Sequence, residues 1–287
     1  MAPAEVTGVV LVSGATGTVG RPLLDHLLAA GHHVRAAVRD PDTADLPAAV
    51  EVVRLDFNDP VTVGPAVAGV DRAFLMRPPA ISDVATAMGP LITAAAAQQV
   101  RRIVVLSVMG VNPALPHWRM EQLVKASGVP MTALRPAYFA QNFLTAFGQD
   151  ISLRSELPLA SGNGKVSFID TRDIAAVAAV VLSDLDAHGT DPLTLTGPQA
   201  LTFTDAAGLF SEELRRPVRY LKQGLWQRRR QLRERGMEPG YVRVQLIIDI
   251  TTRLGLAGKI TQDVPLILGR PATTLQQFIH DHRDAWS

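Results

Sequence analysis

The chain has no cysteine. Disulfides, thiolate metal ligands and cysteine nucleophiles are therefore excluded. Charge of one sign is also lacking. Lys and Arg nearly balance Asp and Glu, for a net charge of +1, so no global field points to nucleic acid or acidic partners. No apolar run is long enough to span a bilayer; the longest, "IAAVAAVVL" from Ile174 to Leu182, is too short. "MAPAEV" has no basic leader region, which makes cytoplasm the expected location. No His/Asp/Glu group has metal-ligand spacing, and no G-x-S-x-G nucleophile motif occurs.

What is present is a core and an alternation. Hydrophobic residues make up 47% of 287 positions, enough for one large domain or a domain with a smaller lobe. Strand-like runs at "GVVLVSG", "HVRAAVR", "VEVVRLD", "DRAFLM", "RRIVVLS" and "PMTALRP" are separated by helical patterns, including Gly20 to Ala30, Ala85 to Gln98 and "HWRMEQLVKAS". Such alternation implies right-handed crossovers and an α/β, doubly wound parallel Rossmann sheet. After Tyr138 it loosens. "VSFID" and "LTLTG" read as short strands around the buried helix "TRDIAAVAAVVLSD", with Thr171 as its N-cap, and the chain from Thr204 reads as mostly helical. The expected organisation is a dinucleotide-binding domain over residues 1–150 and a smaller, mostly helical substrate lobe and lid over 151–287 that returns short strands to the main sheet.

"LVSGATGTVGRPLLDHLLAAG" spaces Gly14, Gly17 and Gly20 three apart, between the first strand and the first helix. Gly14 would make the turn, Gly17 would let amides approach a pyrophosphate, and Gly20 would allow close helix packing. Thr16, Thr18 and Val19 complete the cradle, at a helix start that favours anions. Arg39 closes the second strand, where an arginine holds a 2′-phosphate and a carboxylate a 2′-hydroxyl. NADPH/NADP+ is thus the expected cofactor, with Arg21 and Arg35 as possible assistants; the competing reading leaves Arg39 solvated and gives the hydroxyls to Asp40.

The glycine spacing, with "HVRAAVRDP", "LRPAYFAQNFL", "FIDTRDIAAV" and "RRPVRYL", resembles the NmrA-like branch of the atypical short-chain dehydrogenase/reductases up to about Tyr220. The resemblance implies that Asp56 and Phe57 contact adenine. It also implies that Met76, Arg77 and Pro78 flank the nicotinamide ribose, and that Pro136, Ala137, Tyr138 and Phe139 line the nicotinamide face. The wider family uses a Tyr-x-x-x-Lys pair, one turn apart on a helix, as its proton donor. This chain has His117 and Glu121 in "HWRME" instead, and none of its three tyrosines is followed by lysine four residues on.

Three readings follow: a non-catalytic NADP(H)-binding redox sensor, reduction of an acceptor that needs little protonation, such as a quinone or phenolic ketone, or substitution of Ser107 or His117 as donor or hydrogen-bonding group. The apolar cover favours reduction. Leu221, Leu225 and Leu232 are expected on one helix face beside Trp226, with Trp118, Phe143 and Phe147 opposite, as walls for a large aromatic substrate. By analogy the resemblance extends to ketoreductases that tailor aromatic polyketides in antibiotic biosynthesis. The run "QRRRQLRERG" is expected to be a solvated helix face with Leu232 inward, or a lid that meets an acidic or phenolate substrate, rather than a nucleic-acid surface. An aromatic small-molecule substrate, no nucleic acid and no membrane are the expectations for partners, and the oligomeric state, a monomer among the options, stays open.

Overall fold

The fold is described from a computed structural model covering residues 8–81, 83–185 and 189–287. The "MAPAEV" reading lies outside these residues. The first stretch of chain forms β1 (Val9–Ser13), α1 (Gly20–Ala29), β2 (His33–Val38), β3 (Glu51–Arg54), α2 (Val63–Val67), β4 (Val70–Met76), α3 (Val84–Ala97), β5 (Arg102–Leu106), α4 (Pro116–Ala126) and β6 (Met131–Pro136). Next come α5 (Asn142–Thr145), β7 (Glu156–Leu159), β8 (Lys165–Val166), α6 (Thr171–Ser183) and β9 (Leu193–Leu195). The remainder forms β10 (Leu201–Thr202), α7 (Phe203–Leu214), β11 (Arg219–Lys222), α8 (Leu225–Glu234), α9 (Pro239–Arg253), α10 (Asp263–Leu268) and α11 (Leu275–Asp281).

Two compact units emerge: residues 1–136 with 171–195, and residues 137–170 with 196–287. This differs from a single break after residue 150. The chain leaves the first unit at the end of β6 and returns for α6 and β9, because the apolar face of α6 has its partner in α1. Ile174, Val177, Ala178 and Val181 of α6 are fully buried.

In the first unit, seven strands run in the order β3-β2-β1-β4-β5-β6-β9, every neighbouring pair parallel. The near-continuous Val, Ile and Leu of β1 and β5 suit strands covered on both faces. The strand order reverses between β1 and β4, the place where open parallel sheets bind ligands beyond their carboxyl ends. The orphan carbonyls at the end of α6 are met by Arg72, which donates to Leu182 O and, at 3.1 Å, to Ser183 O.

In the second unit, β7 pairs with β11 in parallel and β8 with β10 antiparallel. Of "VSFID" only Val166 lies in a strand, β8, which pairs with β10 instead of the main sheet, and Ile169 makes a single bridge to Phe139. "RYLK" extends as β11, so Leu221 does not share a helix face with Leu225 and Leu232. The core here is aromatic: Phe143, Phe168, Phe203 and Phe210 pack with centroids 5.1 to 6.3 Å apart, mostly tilted or edge-on.

Candidate cofactor and active site

The glycine loop leaves β1 at Ser13, whose hydroxyl accepts from Met76 N at 2.8 Å and stitches the end of β1 to the end of β4. Gly14 sits at φ +65°, and a Cβ there would stand 2.1 Å from Met76 Cε. At Gly20 a Cβ would stand 2.1 Å from Gly14 O and 2.8 Å from Ala15 Cα, both backbone. Only glycine lets α1 press this closely on the loop. Gly17 donates its own amide to Gly14 O at 2.9 Å, so it closes the turn and its N–H is not free for a ligand. Among the described residues, the amides of Thr16, Thr18, Val19 and Gly20 donate to no acceptor in the chain, and α1 has no side-chain cap. Four unspent amides at an uncapped helix start fit a diphosphate. The Val19 side chain is buried, leaving only its backbone to take part.

Past β2, Arg39 is exposed and makes no hydrogen bond or ion pair among the described residues. Its guanidinium is available to a phosphate. Arg35 is not: it is buried, with Nε 2.9 Å from Glu51 and Nη1 donating to Ala66 O at 3.1 Å and Ala68 O at 2.6 Å. Arg21 turns to Asp45. Both guanidiniums are thus already engaged within the chain. After β3, the Asp56 carboxylate accepts from Asn58 N at 2.9 Å and the Thr62 hydroxyl accepts from Asp56 N at 3.1 Å, which shapes the loop. Phe57 packs half-buried on the core of the first unit. After β4, Arg77 folds over its own loop and donates to the carbonyls of Pro78, Pro79 and Ile81 at 2.9, 3.1 and 2.7 Å.

Ser107 lies just past β5, 4% exposed, and donates its hydroxyl to Glu121 Oε1 at 2.5 Å. Arg135 on β6 grips the same carboxylate with two bonds, Nε to Oε1 at 3.1 Å and Nη2 to Oε2 at 2.6 Å. Glu121 on α4 is 4% exposed. The serine proton is committed to a charged acceptor, so Ser107 can accept from a ligand but is a poor donor. Sequence reading missed this cluster. Its members are fourteen residues apart in each direction, and only the parallel pairing of β5 with β6 brings them together. His117, on the first turn of α4, does not bond Glu121; its Nδ1 is buried without a partner. Burial and the nearby Arg77 charge lower its pKa to about 4, against a smaller opposing effect of Glu121. The ring is neutral at pH 7, which removes the imidazolium donor. Trp118 is half-buried beside it, and Pro136 is buried at the end of β6.

In the second unit, Ala137 is buried, and Phe139 bridges to Ile169. The Tyr138 ring stands edge-on to Phe168 at 5.7 Å and to Phe203 at 6.0 Å, and burial pushes its hydroxyl pKa well up. Phe143 and Phe147 do not form the expected wall of a substrate pocket. They are 0% and 1% exposed and belong to the core, which Phe168, Phe203 and Phe210 from distant parts of the chain complete. Leu225 and Trp226 open α8, with Trp226 80% exposed. The arginine run is not wholly solvated either: Arg228 is 3% exposed, while Leu232 points inward as expected.

A doubly wound parallel sheet with a glycine turn, free amides and an unpaired arginine after β2 defines a dinucleotide-binding Rossmann protein. More narrowly, the chain belongs to the NmrA-like family, whose profile matches residues 6–246. It is 33% identical over 285 residues to an NAD(P)H azoreductase of Xenophilus azovorans, spanning 96% of this chain and 99% of the relative. It is 31% identical to a (4-alkanoyl-5-oxo-2,5-dihydrofuran-3-yl)methyl phosphate reductase of Streptomyces griseus, over 97% of this chain and 99% of that one. Among solved structures, an NADPH-dependent quinone oxidoreductase of Escherichia coli in complex with NADPH superposes with a TM-score of 0.85 at 24% identity, covering 96% of this chain and 99% of that chain. No helix among the described residues is long and apolar enough to cross a membrane, and no cluster with metal-ligand character occurs among them.

Proposed function

We propose that this protein is an NADPH-dependent oxidoreductase that reduces a carbonyl or quinone-like group on a large aromatic molecule. The observation that carries the reading is the pairing of unspent loop amides with an unpaired Arg39 at the ends of β1 and β2. The relatives act in the same direction by name: one is an azoreductase using NAD(P)H, and one solved neighbour is a quinone oxidoreductase holding NADPH.

When bound, the nicotinamide supplies hydride. The amides of Thr16, Thr18, Val19 and Gly20 hold the diphosphate, and Arg39 grips the 2′-phosphate. Asp56 and Phe57 border the adenine, and Met76, Arg77 and Pro78 the nicotinamide ribose. Ser107, pinned as a donor to Glu121, offers lone pairs to a hydroxyl or amide of the ligand. Neither Ser107 nor neutral His117 is an acid of useful strength at pH 7. The acceptor is therefore one whose reduced oxygen is stabilised by its own conjugation and takes its proton from water. Quinones meet that requirement, and so do polycyclic ketones with a neighbouring phenol, the aromatic-polyketide class.

The test is NADPH oxidation against a panel of quinones, azo compounds, phenolic aryl ketones and plain aryl ketones. Turnover is expected for the first three and not the last. No turnover with any of them, alongside tight binding of both NADP+ and NADPH, would replace the reductase with a redox sensor.

A further inference from the structure

A cavity of about 1080 Å3 lies wholly inside the second unit, between the turn from α5 to residue 154 and the facing sides of α8 and α9. Three guanidiniums line it, those of Arg154, Arg228 and Arg235, but a single carboxylate, that of Asp150. Asp150 is 3% exposed. It accepts from Arg235 at 2.7 and 2.8 Å and from Arg154 at 3.1 Å. Arg228 is equally buried. Its Nη1 donates to Gln231 at 2.9 Å, and its guanidinium carbon stands 5.7 Å over the Phe147 ring. Its Nε has no hydrogen-bond partner and lies 3.5 Å from Asp249 Oδ2, which is unpartnered too. Asp249 is held from behind by Ser161 Oγ at 2.7 Å.

Counting Asp249, three positive charges meet two negative ones, and one positive charge stays uncompensated. Leu232 and Met237 supply apolar wall, so screening is weaker than at an open surface. The surplus lies on Arg154, which is 62% exposed and reaches Asp150 through Nη1 alone, so its other N–H groups face the cavity mouth open to an anion.

We propose that this cavity binds a small molecule through a single oxyanionic group, a carboxylate, sulfonate or phosphate, with an aromatic or alkyl body against the apolar wall. Naphthalenesulfonate is the probe and naphthol its neutral counterpart, each titrated into the intact protein by calorimetry. The sulfonate binds about tenfold more tightly than naphthol, as expected for one added charge-assisted contact. Arg154→Gln and Arg235→Gln each erase most of that preference. Arg154 is largely exposed, so its substitution is not expected to disturb folding, which thermal unfolding verifies. NADPH affinity is unchanged in both variants, which separates failure of this site from failure of the dinucleotide reading. Equal affinity for the two probes, or a preference that survives both substitutions, would overturn the proposal. Competition between the sulfonate and the reducible substrate assigns the oxyanion to that substrate; inhibition or activation without competition assigns it to a separate ligand.

Discussion

Arg39→Asp isolates the coenzyme preference. Arg39 is exposed and has no partner among the described residues, so replacing it takes nothing from the fold; surface changes of that kind move stability by about 0.5 kcal/mol or less. Its contribution to binding is then a charge-assisted contact to the 2′-phosphate, about 2 kcal/mol at a partly solvated site. That converts to roughly 30-fold in affinity. The introduced carboxylate beside Asp40 repels the phosphate and adds to the loss, so a reduction in NADPH affinity of about 100-fold is expected. NADH has no phosphate there, and its affinity changes by about threefold or less. Titration of the intrinsic fluorescence of NADPH and of NADH, with wild type and variant at fixed ionic strength, reads both numbers directly. Equal losses for the two coenzymes would refute the clamp, and an unchanged NADPH affinity would place the 2′-phosphate elsewhere.

Gly20→Ala drives a methyl carbon into the backbone of Gly14 and Ala15, which cannot rotate away; it is expected to lower stability by about 1–3 kcal/mol and to abolish NADPH binding, read by thermal unfolding and fluorescence. Glu121→Gln leaves Arg135 without its counter-charge and a single amide oxygen to be shared between Arg135 and Ser107. With Arg135 partly solvated, a loss of about 2–3 kcal/mol is expected from denaturant titration. His117 has a folded pKa of about 4, below the unfolded value of 6.5, so the unfolded chain binds the proton more readily. Its contribution is complete above pH 6.5 and is lost as pH falls toward 4, by about 3 kcal/mol at most; unfolding of His117→Gln between pH 4 and 7 should be correspondingly flatter. Phe143→Ala should cost about 3–5 kcal/mol, whereas Trp226→Ala at an exposed position should leave the melting temperature almost unchanged.

The six strands up to Pro136 and the helices α1, α3 and α4 follow from periodicity, because buried parallel strands read as short apolar runs; the five-residue α2 is too short to show a period. The glycine turn was equally legible, since Gly14 and Gly20 are positions where a side chain has no room. Other features depend on partners distant in sequence. "RYLK" carries no strong strand signal of its own and becomes β11 only because "ELPL" of β7 lies alongside. Phe143 and Phe147 have helical spacing suited to either a pocket or a core, and only Phe168, Phe203 and Phe210 decide for the core. Arg228 sits in a run of arginines that composition alone assigns to water. Asp249, twenty-one residues on, draws it inward.

The return of the chain to the first unit for α6 and β9 has a consequence for biosynthesis. A ribosome that has released residues up to 136 has made six of seven strands, yet the helix that covers α1 and the last edge strand are still to come. Nascent chains must therefore hold an open, apolar sheet face through the next sixty or so residues of elongation, an interval suited to chaperone capture. A protease-resistant N-terminal fragment ending near Pro136 is not expected; the shortest nascent chain that resists digestion should extend past Leu195.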